Sequence, residues 1–391
     1  MANSFSLDHL VEALQYVIGF KGNNVVLHEP EFKANELKYV QECLETGWVS
    51  SAGKFVDEFE AKISSYTGAK YAVAVVNGTS GLHLALIEAG VLPGDEVLCP
   101  ALTFVATANA VSYCGAVPHF VDSSESTMGL DPAALSDYLS RVAEPFSGGY
   151  RNRKTGRRLA AILPMHTFGH PVDISGLLDL AKKYCLEIVE DAAEALGSWI
   201  GSRHVGTYGR SGVFSFNGNK IITTGGGGAI ITNDLRCAQR LKHLSTTAKK
   251  SYGFSFVHDE IGFNYRLPNI NAALGCAQME SLPDILSRKR ELASRYKKVF
   301  SSISSVRFMD EPVGCRSNFW LNTIYHPFIS EEERDELLNS VITAGFHCRP
   351  VWRLLSRLSI FSHCPRGPLP VAEALEKGLI NLPSSPKLTE R

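Results

Sequence analysis

Short, mostly apolar runs alternate with amphipathic ones through the first two thirds of the chain. Residues 71–76 (YAVAVV), 96–99, 118–122, 160–165, 186–190, 213–216 and 229–232 form the apolar set. Each is too short for a helix and lacks the strict alternation of a half-solvated strand, so each predicts a buried strand. Helical periodicity fills the intervals, over 54–66, around 82–86, and over 104–113 and 174–184. Seven buried strands with helices between them predict an α/β fold, a mostly parallel sheet covered on both faces. Upstream, Leu7, Leu10, Val11, Leu14, Val17 and Ile18 mark one face of an amphipathic helix. A second helix is predicted over 31–46, with Gly47 placed to end it, and a loop of small residues around Trp48 follows. After residue 232 the rhythm changes. Helices are predicted over 234–244, from about 269, over 285–300 and over 331–344, with strand-like runs at 321–325 and 347–351. The pattern predicts an N-terminal helical arm (1–30), a large domain (31–265) and a smaller C-terminal α+β domain (266–391).

Composition changes this picture little. With 39 basic and 40 acidic residues the formal net charge is −1, which offers no electrostatic basis for binding nucleic acid or an anionic membrane. The nine cysteines are scattered, without a C-x-x-C pair, as expected for reduced thiols in a cytoplasmic protein. The N-terminal stretch lacks a basic start and is interrupted by Asp8, His9, Glu12 and Gln15, unlike a signal peptide. No run approaches the roughly 18 apolar residues of a membrane span.

Ligands of open α/β sheets sit at the carboxyl ends of the strands, so the residues following each strand carry the candidate chemistry. They include NGTS at 77–80, Phe104, His166, Asp191, Glu194 and the stretch GVFSFNGNKIITTGGGG at 212–228. That last stretch holds one lysine, Lys220, among apolar residues and glycines. It reads as an amine set to form a Schiff base with an aldehyde cofactor, or as a surface lysine in a turn. Asp191 reads as the partner of a protonated pyridine nitrogen, or as an N-cap. The helix opening at 77–80 offers backbone N–H groups to a phosphate, or is simply a capped helix. Ser215 could add a hydroxyl to the same phosphate, and Phe104 could stack on a planar ring; a strand-end hydroxyl and core packing are the plainer readings. Other chemistries fail. His166 and His170 have zinc-ligand spacing, but Gly169 and Pro171 oppose a helix and no Glu completes the motif, so no metal site is expected. S-x-x-K (51–54) and K-T-G (154–156) lack the third element of serine β-lactam enzymes. Neither a dinucleotide fingerprint nor a P-loop is present.

Taken together, NGTSGLHLAL, PALTFVATANAV, VEDAAEALGS, FSFNGNKIITTGGGG and GFNYRLPNINAALG make the chain resemble the DegT/StrS-type sugar-nucleotide aminotransferases, a branch of the fold type I pyridoxal phosphate enzymes. The similarity spans residues 28–385. HDEIGFNYRLPNINAA, RSNFWLN and RPVW most resemble the subgroup acting on 4-keto-6-deoxy-2-acetamido sugars in legionaminic acid and bacillosamine synthesis. The resemblance implies pyridoxal 5′-phosphate as cofactor. It implies that Lys220 forms the Schiff base and shuttles the proton, and that Asp191 pairs with the pyridinium nitrogen. Glu194 would stand near the phenolic oxygen and Phe104 would stack on the ring. Thr79, Ser80 and Ser215 would hold the phosphate. Asn264 would reach the phosphate of the neighbouring subunit, which implies a homodimer. L-Glutamate would donate the amine and a UDP- or GDP-linked 4-keto sugar would accept it at C4, as the subgroup resemblance implies, with a C3 aminotransferase as the alternative on the same fold. Trp48, His166 and Arg349 are candidates for the sugar nucleotide, although a buried Trp or a salt-bridged Arg would look the same in sequence. The family usually continues with a further helix after NLPSSP, so the resemblance leaves a truncated or a naturally short small domain. Relatives that remove a hydroxyl carry His in place of the lysine, so Lys220 disfavours a dehydratase, and no degraded motif favours a non-catalytic regulator. The purified protein is therefore expected to be yellow, with visible absorbance that shifts on adding glutamate. A colourless protein unchanged by added pyridoxal phosphate would favour the regulator.

Overall fold

The computed structural model describes residues 7–19, 24–252 and 255–390. Parts of the expected N-terminal arm, at 1–6 and 20–23, lie outside them. The seven expected strands form one continuous path in the order Tyr71–Val75, Gly228–Thr232, Ser211–Ser215, Glu187–Asp191, Arg158–Ile162, Glu96–Pro100, Val117–Val121. Gly228–Thr232 runs antiparallel to both neighbours and the remaining pairs are parallel. A hairpin, Ala143–Phe146 with Gly149–Asn152, pairs onto Arg158–Ile162 and makes the sheet nine-stranded. Its strands, AEPF and GYRN, mix Glu144 and Arg151 with small, aromatic and proline residues, so no apolar run announced it.

Alternate residues along the strands enter separate hydrophobic clusters, the expected result when both faces of a sheet are covered. Val73, Val97, Val189 and Val213 pack with Leu82, Leu86, Ala108 and Val111 of helices Gly78–Glu88 and Val105–Tyr113. Ala74, Phe214 and Ile231 pack on the opposite face with Phe59, Ile63, Ala273 and Cys276. Leu98, Ile162 and Ile188 join Leu135, Leu139 and Leu177 from helices Pro132–Val142 and Ile174–Tyr184.

Two helices differ from expectation at their bounds. The helix predicted over 31–46 begins only at Glu36 and ends on a left-handed Gly47. The two predicted around 269 and 285–300 are one helix, Asn269–Phe300, with Pro283 inside it. Proline breaks the sequence pattern because it forfeits one backbone hydrogen bond. Here Leu282, Ile285 and Leu286 are buried around it, and packing keeps the helix continuous. The first part of this helix lies in the large core and the last part in another. That second core gathers Leu10, Leu14 and Val17 of helix Leu7–Ile18 with Tyr296, Phe300, Val341 and Ile380. It covers a four-stranded antiparallel sheet, Arg307–Phe308, Asn322–Tyr325, Leu379–Leu382 and Arg349–Pro350.

A buried polar knot fixes the strand leading to Phe104. The Glu96 carboxylate meets His119 Nδ1 (2.8 Å) and accepts hydrogen bonds from Asn152 Nδ2 (2.9 Å) and Thr155 Oγ1 (2.6 Å), while His119 Nε2 meets the Tyr138 hydroxyl (2.9 Å). Burial pushes this carboxyl up, but His119 and the hydrogen bonds outweigh it and hold it below its ordinary 4.5. A depressed carboxyl contributes stability that is complete above the unfolded value and is lost as pH falls through the folded one. Glu96→Gln is expected to lose about 1.5–3 kcal/mol at neutral pH. The gap to the natural protein should narrow below pH 4.5. Denaturant titrations on both sides of that pH check it; a gap that does not change with pH would show the carboxylate to be unlinked.

Candidate active site

The carboxyl ends of the central strands open onto a cavity of about 300 Å³. Asp191, Glu194, Ser215, Lys220, Thr79 and Phe104 all lie on its wall. Asp191 ends its strand, Ser215 ends the neighbouring one, and Phe104 sits at the start of helix Val105–Tyr113. Two glycines let the start of helix Gly78–Glu88 close in on the strand ends. A Cβ on Gly78 would stand 2.9 Å from the Ser215 Cβ, and one on Gly228 would stand 2.7 Å from the Asn77 carbonyl carbon. The helix is capped by Asn77 Oδ1, which accepts the Ser80 N–H (2.8 Å). The first-turn N–H groups of Gly78 and Thr79, on the cavity wall, have no partner within a helix.

Lys220 does sit in a turn, its N–H bonded to the Asn217 carbonyl (3.0 Å), but its side chain is only 11% exposed. The loop is held at its base, where the Phe216 N–H donates to the Gly227 carbonyl (2.8 Å) and the Thr224 N–H donates to the Phe216 carbonyl (3.0 Å). Asn271 of the long helix donates to the Thr224 carbonyl (2.7 Å). The Lys220 amine donates to Glu194 Oε1 (3.1 Å) and lies 3.9 Å from the centre of the Trp320 ring, a cation–π distance. Glu194 Oε2 accepts the Phe168 N–H (2.9 Å). Burial pushes the Glu194 carboxyl up to about 7, against the pull of Lys220 and the Phe168 N–H.

Asp191 is followed by turns, not by a helix, so it caps nothing. Its carboxylate accepts the Thr107 hydroxyl (2.8 Å) and the Ala193 N–H (3.2 Å). Burial pushes this carboxyl up as well, while Thr107, Ala193, Lys220 and His166 draw it down. The residues suit pyridoxal phosphate. A buried carboxylate faces the same cavity as an amine, and a helix start with a nearby hydroxyl supplies an anion seat.

Five expected residues are not on this wall. The Ser80 N–H belongs to the Asn77 cap. The His166 ring is fully buried, with Nε2 on Glu190 (3.1 Å) and Nδ1 accepting the Val172 N–H (3.2 Å), so neither nitrogen is open to a ligand. Trp48 is 59% exposed in a separate groove with Lys54 and Phe55. Arg349 is exposed on a strand paired to Asn381. Asn264 is exposed, in a bridge with Thr246.

The wall also holds residues that the sequence did not single out. Trp320 and Trp352 enter from the C-terminal third, and Trp352 packs against Phe168 (4.9 Å between centroids) and Phe104 (6.3 Å). Both lie in quoted motifs, RSNFWLN and RPVW, but no local pattern gives them a role at the site. Thr107 was legible in part, because Thr103 and Thr107 put two hydroxyls four residues apart in an apolar stretch, and they bond each other (2.8 Å).

Residues 30–391 match the family described as DegT/DnrJ/EryC1/StrS aminotransferase. The chain belongs to that family. It is 38% identical to a GDP-perosamine synthase of Escherichia coli O157:H7 over 93% of this chain and 94% of that one. A GDP-perosamine synthase of Caulobacter vibrioides is 36% identical, covering 92% and 93%. Among solved structures, the aminotransferase TlmJ from Streptoalloteichus hindustanus superposes with a TM-score of 0.83 at 28% identity, over 93% of this chain and 94% of that one. The protein is thus a pyridoxal phosphate-dependent aminotransferase of fold type I. Among the described residues no helix is long and apolar enough to cross a membrane.

The raised Glu194 carboxyl has a consequence for the cofactor-free protein. The folded state holds this proton more tightly than the unfolded chain, so its contribution to stability falls as pH climbs from about 4.5 to about 7. Glu194→Gln is expected to lack that decline, so its melting temperature should gain on the natural protein across the window and keep a constant difference above it. Parallel melting curves for the two proteins would refute the assignment.

Proposed function

We propose that this aminotransferase moves the amino group of L-glutamate to the C4 ketone of a GDP-linked 4-keto-6-deoxy sugar. The observation that carries the reading is the meeting of Lys220, Glu194 and Asp191 on one cavity wall. When bound, pyridoxal phosphate supplies an aldehyde and an electron-withdrawing ring. The Lys220 amine takes the α-proton of the donor and later returns a proton to the sugar carbon that receives nitrogen. Asp191, steadied by Thr107, keeps a proton on the ring nitrogen that docks against it. Glu194 orients the free Lys220 amine. The Thr79 N–H and the Ser215 hydroxyl bind the phosphate, and Phe104 covers the ring. Exposed Asn264 reaches the site of a second copy, which makes a homodimer the active species. Trp48 and Arg349, both exposed, remain available to the sugar nucleotide; His166 has no free nitrogen for it.

Relatives named for a GDP-linked product favour the GDP carrier. The motif resemblance to the legionaminic acid and bacillosamine subgroup favours a 2-acetamido group on the acceptor. A cytoplasmic location fits a nucleotide-linked substrate and nine free cysteines. The test is a panel of GDP- and UDP-linked 4-keto sugars, with and without the 2-acetamido group, incubated with glutamate and followed by mass. Amination of a GDP-linked member is expected, with Lys220→Ala slower by at least about 10³-fold. Turnover confined to UDP-linked sugars would overturn the carrier, and an active Lys220→Ala would overturn the site.

A further inference from the structure

Lys289 lies midway along helix Asn269–Phe300 with no exposed surface. Among the described residues no carboxylate stands within ion-pair distance of it. Its amine donates to the Trp320 carbonyl (3.0 Å) and the Ser384 carbonyl (2.6 Å). Burial pushes this amine well below the usual lysine range, with Glu31 opposing. Removing this amine would leave both buried carbonyls without their donor, so Lys289 contributes to stability, but a lysine is a costly way to satisfy two carbonyls. What Lys289 touches is a better guide.

The Trp320 carbonyl ends a tight turn over 317–320. Phe319 sits there at φ 46°, in the left-handed region that a bulky residue adopts only when its surroundings force it. Ser317 Oγ accepts the Phe319 N–H (3.0 Å) and Asn318 Oδ1 accepts the Trp320 N–H (2.8 Å). The Asn318 amide also donates to the Glu194 carbonyl (2.8 Å). The turn delivers the Trp320 indole to Lys220 in two ways. Its Nε1–H donates to the carbonyl of Asn219, the residue before Lys220 (2.7 Å), and its ring lies 3.9 Å from the amine.

We infer that Lys289 is a positioning residue for Lys220. By holding the Trp320 carbonyl it completes the anchoring of the turn, and the turn sets where the Lys220 amine stands beside Glu194. The inference rests on the reading of Lys220 as the reacting amine. Its ligand-side consequence is a slower meeting of that amine with the cofactor aldehyde when Lys289 is removed.

The test uses the full chain, stripped of cofactor, as the natural protein, Lys289→Met, Trp320→Phe and the double variant. Pyridoxal phosphate is added, the adduct is trapped with borohydride at timed intervals and located by mass, and the melting temperature of each cofactor-free protein is recorded. Lys289→Met leaves two buried carbonyls without a donor and is expected to melt lower than the natural protein; at a temperature where both are fully folded it should label Lys220 about tenfold more slowly or worse, since misplacement by about 1 Å costs up to about 10²-fold. Trp320→Phe, which keeps a ring but loses the Nε1–H, should slow labelling similarly. The double variant should be no slower than the slower single one. An unchanged labelling rate in either single variant while it is folded, or losses that multiply in the double one, would overturn the inference. If Lys289→Met does not fold, Lys289→Gln, which keeps a donor in the same place, is measured in its stead against the same outcomes. Labelling of the natural protein at a lysine other than Lys220 would instead sink the reading on which the inference rests.

Discussion

The contact between the Lys220 amine and the Glu194 carboxylate is held almost entirely out of water. Such a pair persists only where the surrounding groups are fixed, because removing both charges from solvent costs several kcal/mol per ion before their attraction returns any of it. The fixing is visible on each side. Glu194 is held by the Phe168 N–H and, through its own carbonyl, by the Asn318 amide. Lys220 is held by a loop tied at its base and by the indole of Trp320. The sheet, the long helix and the small C-terminal unit all contribute to one desolvated contact.

Asp191 and Glu194 stand three residues apart on the same cavity, and their surroundings divide them by role. Asp191 has a hydroxyl and a backbone N–H as its own donors, which suits it to hold a positive ring nitrogen without moving. Glu194 pairs with the Lys220 amine, and burial pushes its carboxyl up to about 7. Pushing two nearby carboxyls into different environments is how one pocket can hold a fixed charge and an exchangeable proton together.

Backbone strain marks the same place. Phe168 and Phe319 both adopt the left-handed region, at φ 55° and 46°, and both are bulky residues for which it is unfavourable. Phe168 places its N–H on Glu194; Phe319 precedes the tryptophan that covers Lys220. Strain of this kind is retained where other contacts over-determine the backbone. Here those contacts are the buried side chains of Ser317 and Asn318 and the amine of Lys289.

The seven sheet strands and most of their helices were legible in the chain because burial on both faces writes uninterrupted apolar runs, and helices write their own period. The strand-end residues Asp191, Ser215, Phe104 and Thr79 were legible for the same reason: once the strands are known, the parallel sheet puts their carboxyl ends side by side. The polar hairpin at 143–152 was not, since its pairing partner, not its composition, makes it sheet. Nor could sequence tell that His166 would be held by Glu190, or that Trp320 and Trp352 would face Lys220 from at least 100 residues away along the chain. Local pattern determined the scaffold and singled out Lys220, Asp191 and Glu194, which the fold brings onto one cavity. Only the packing of the C-terminal third against the sheet decided which aromatic rings and which buried amine surround them, because those contacts depend on distance in space and leave no period along the chain.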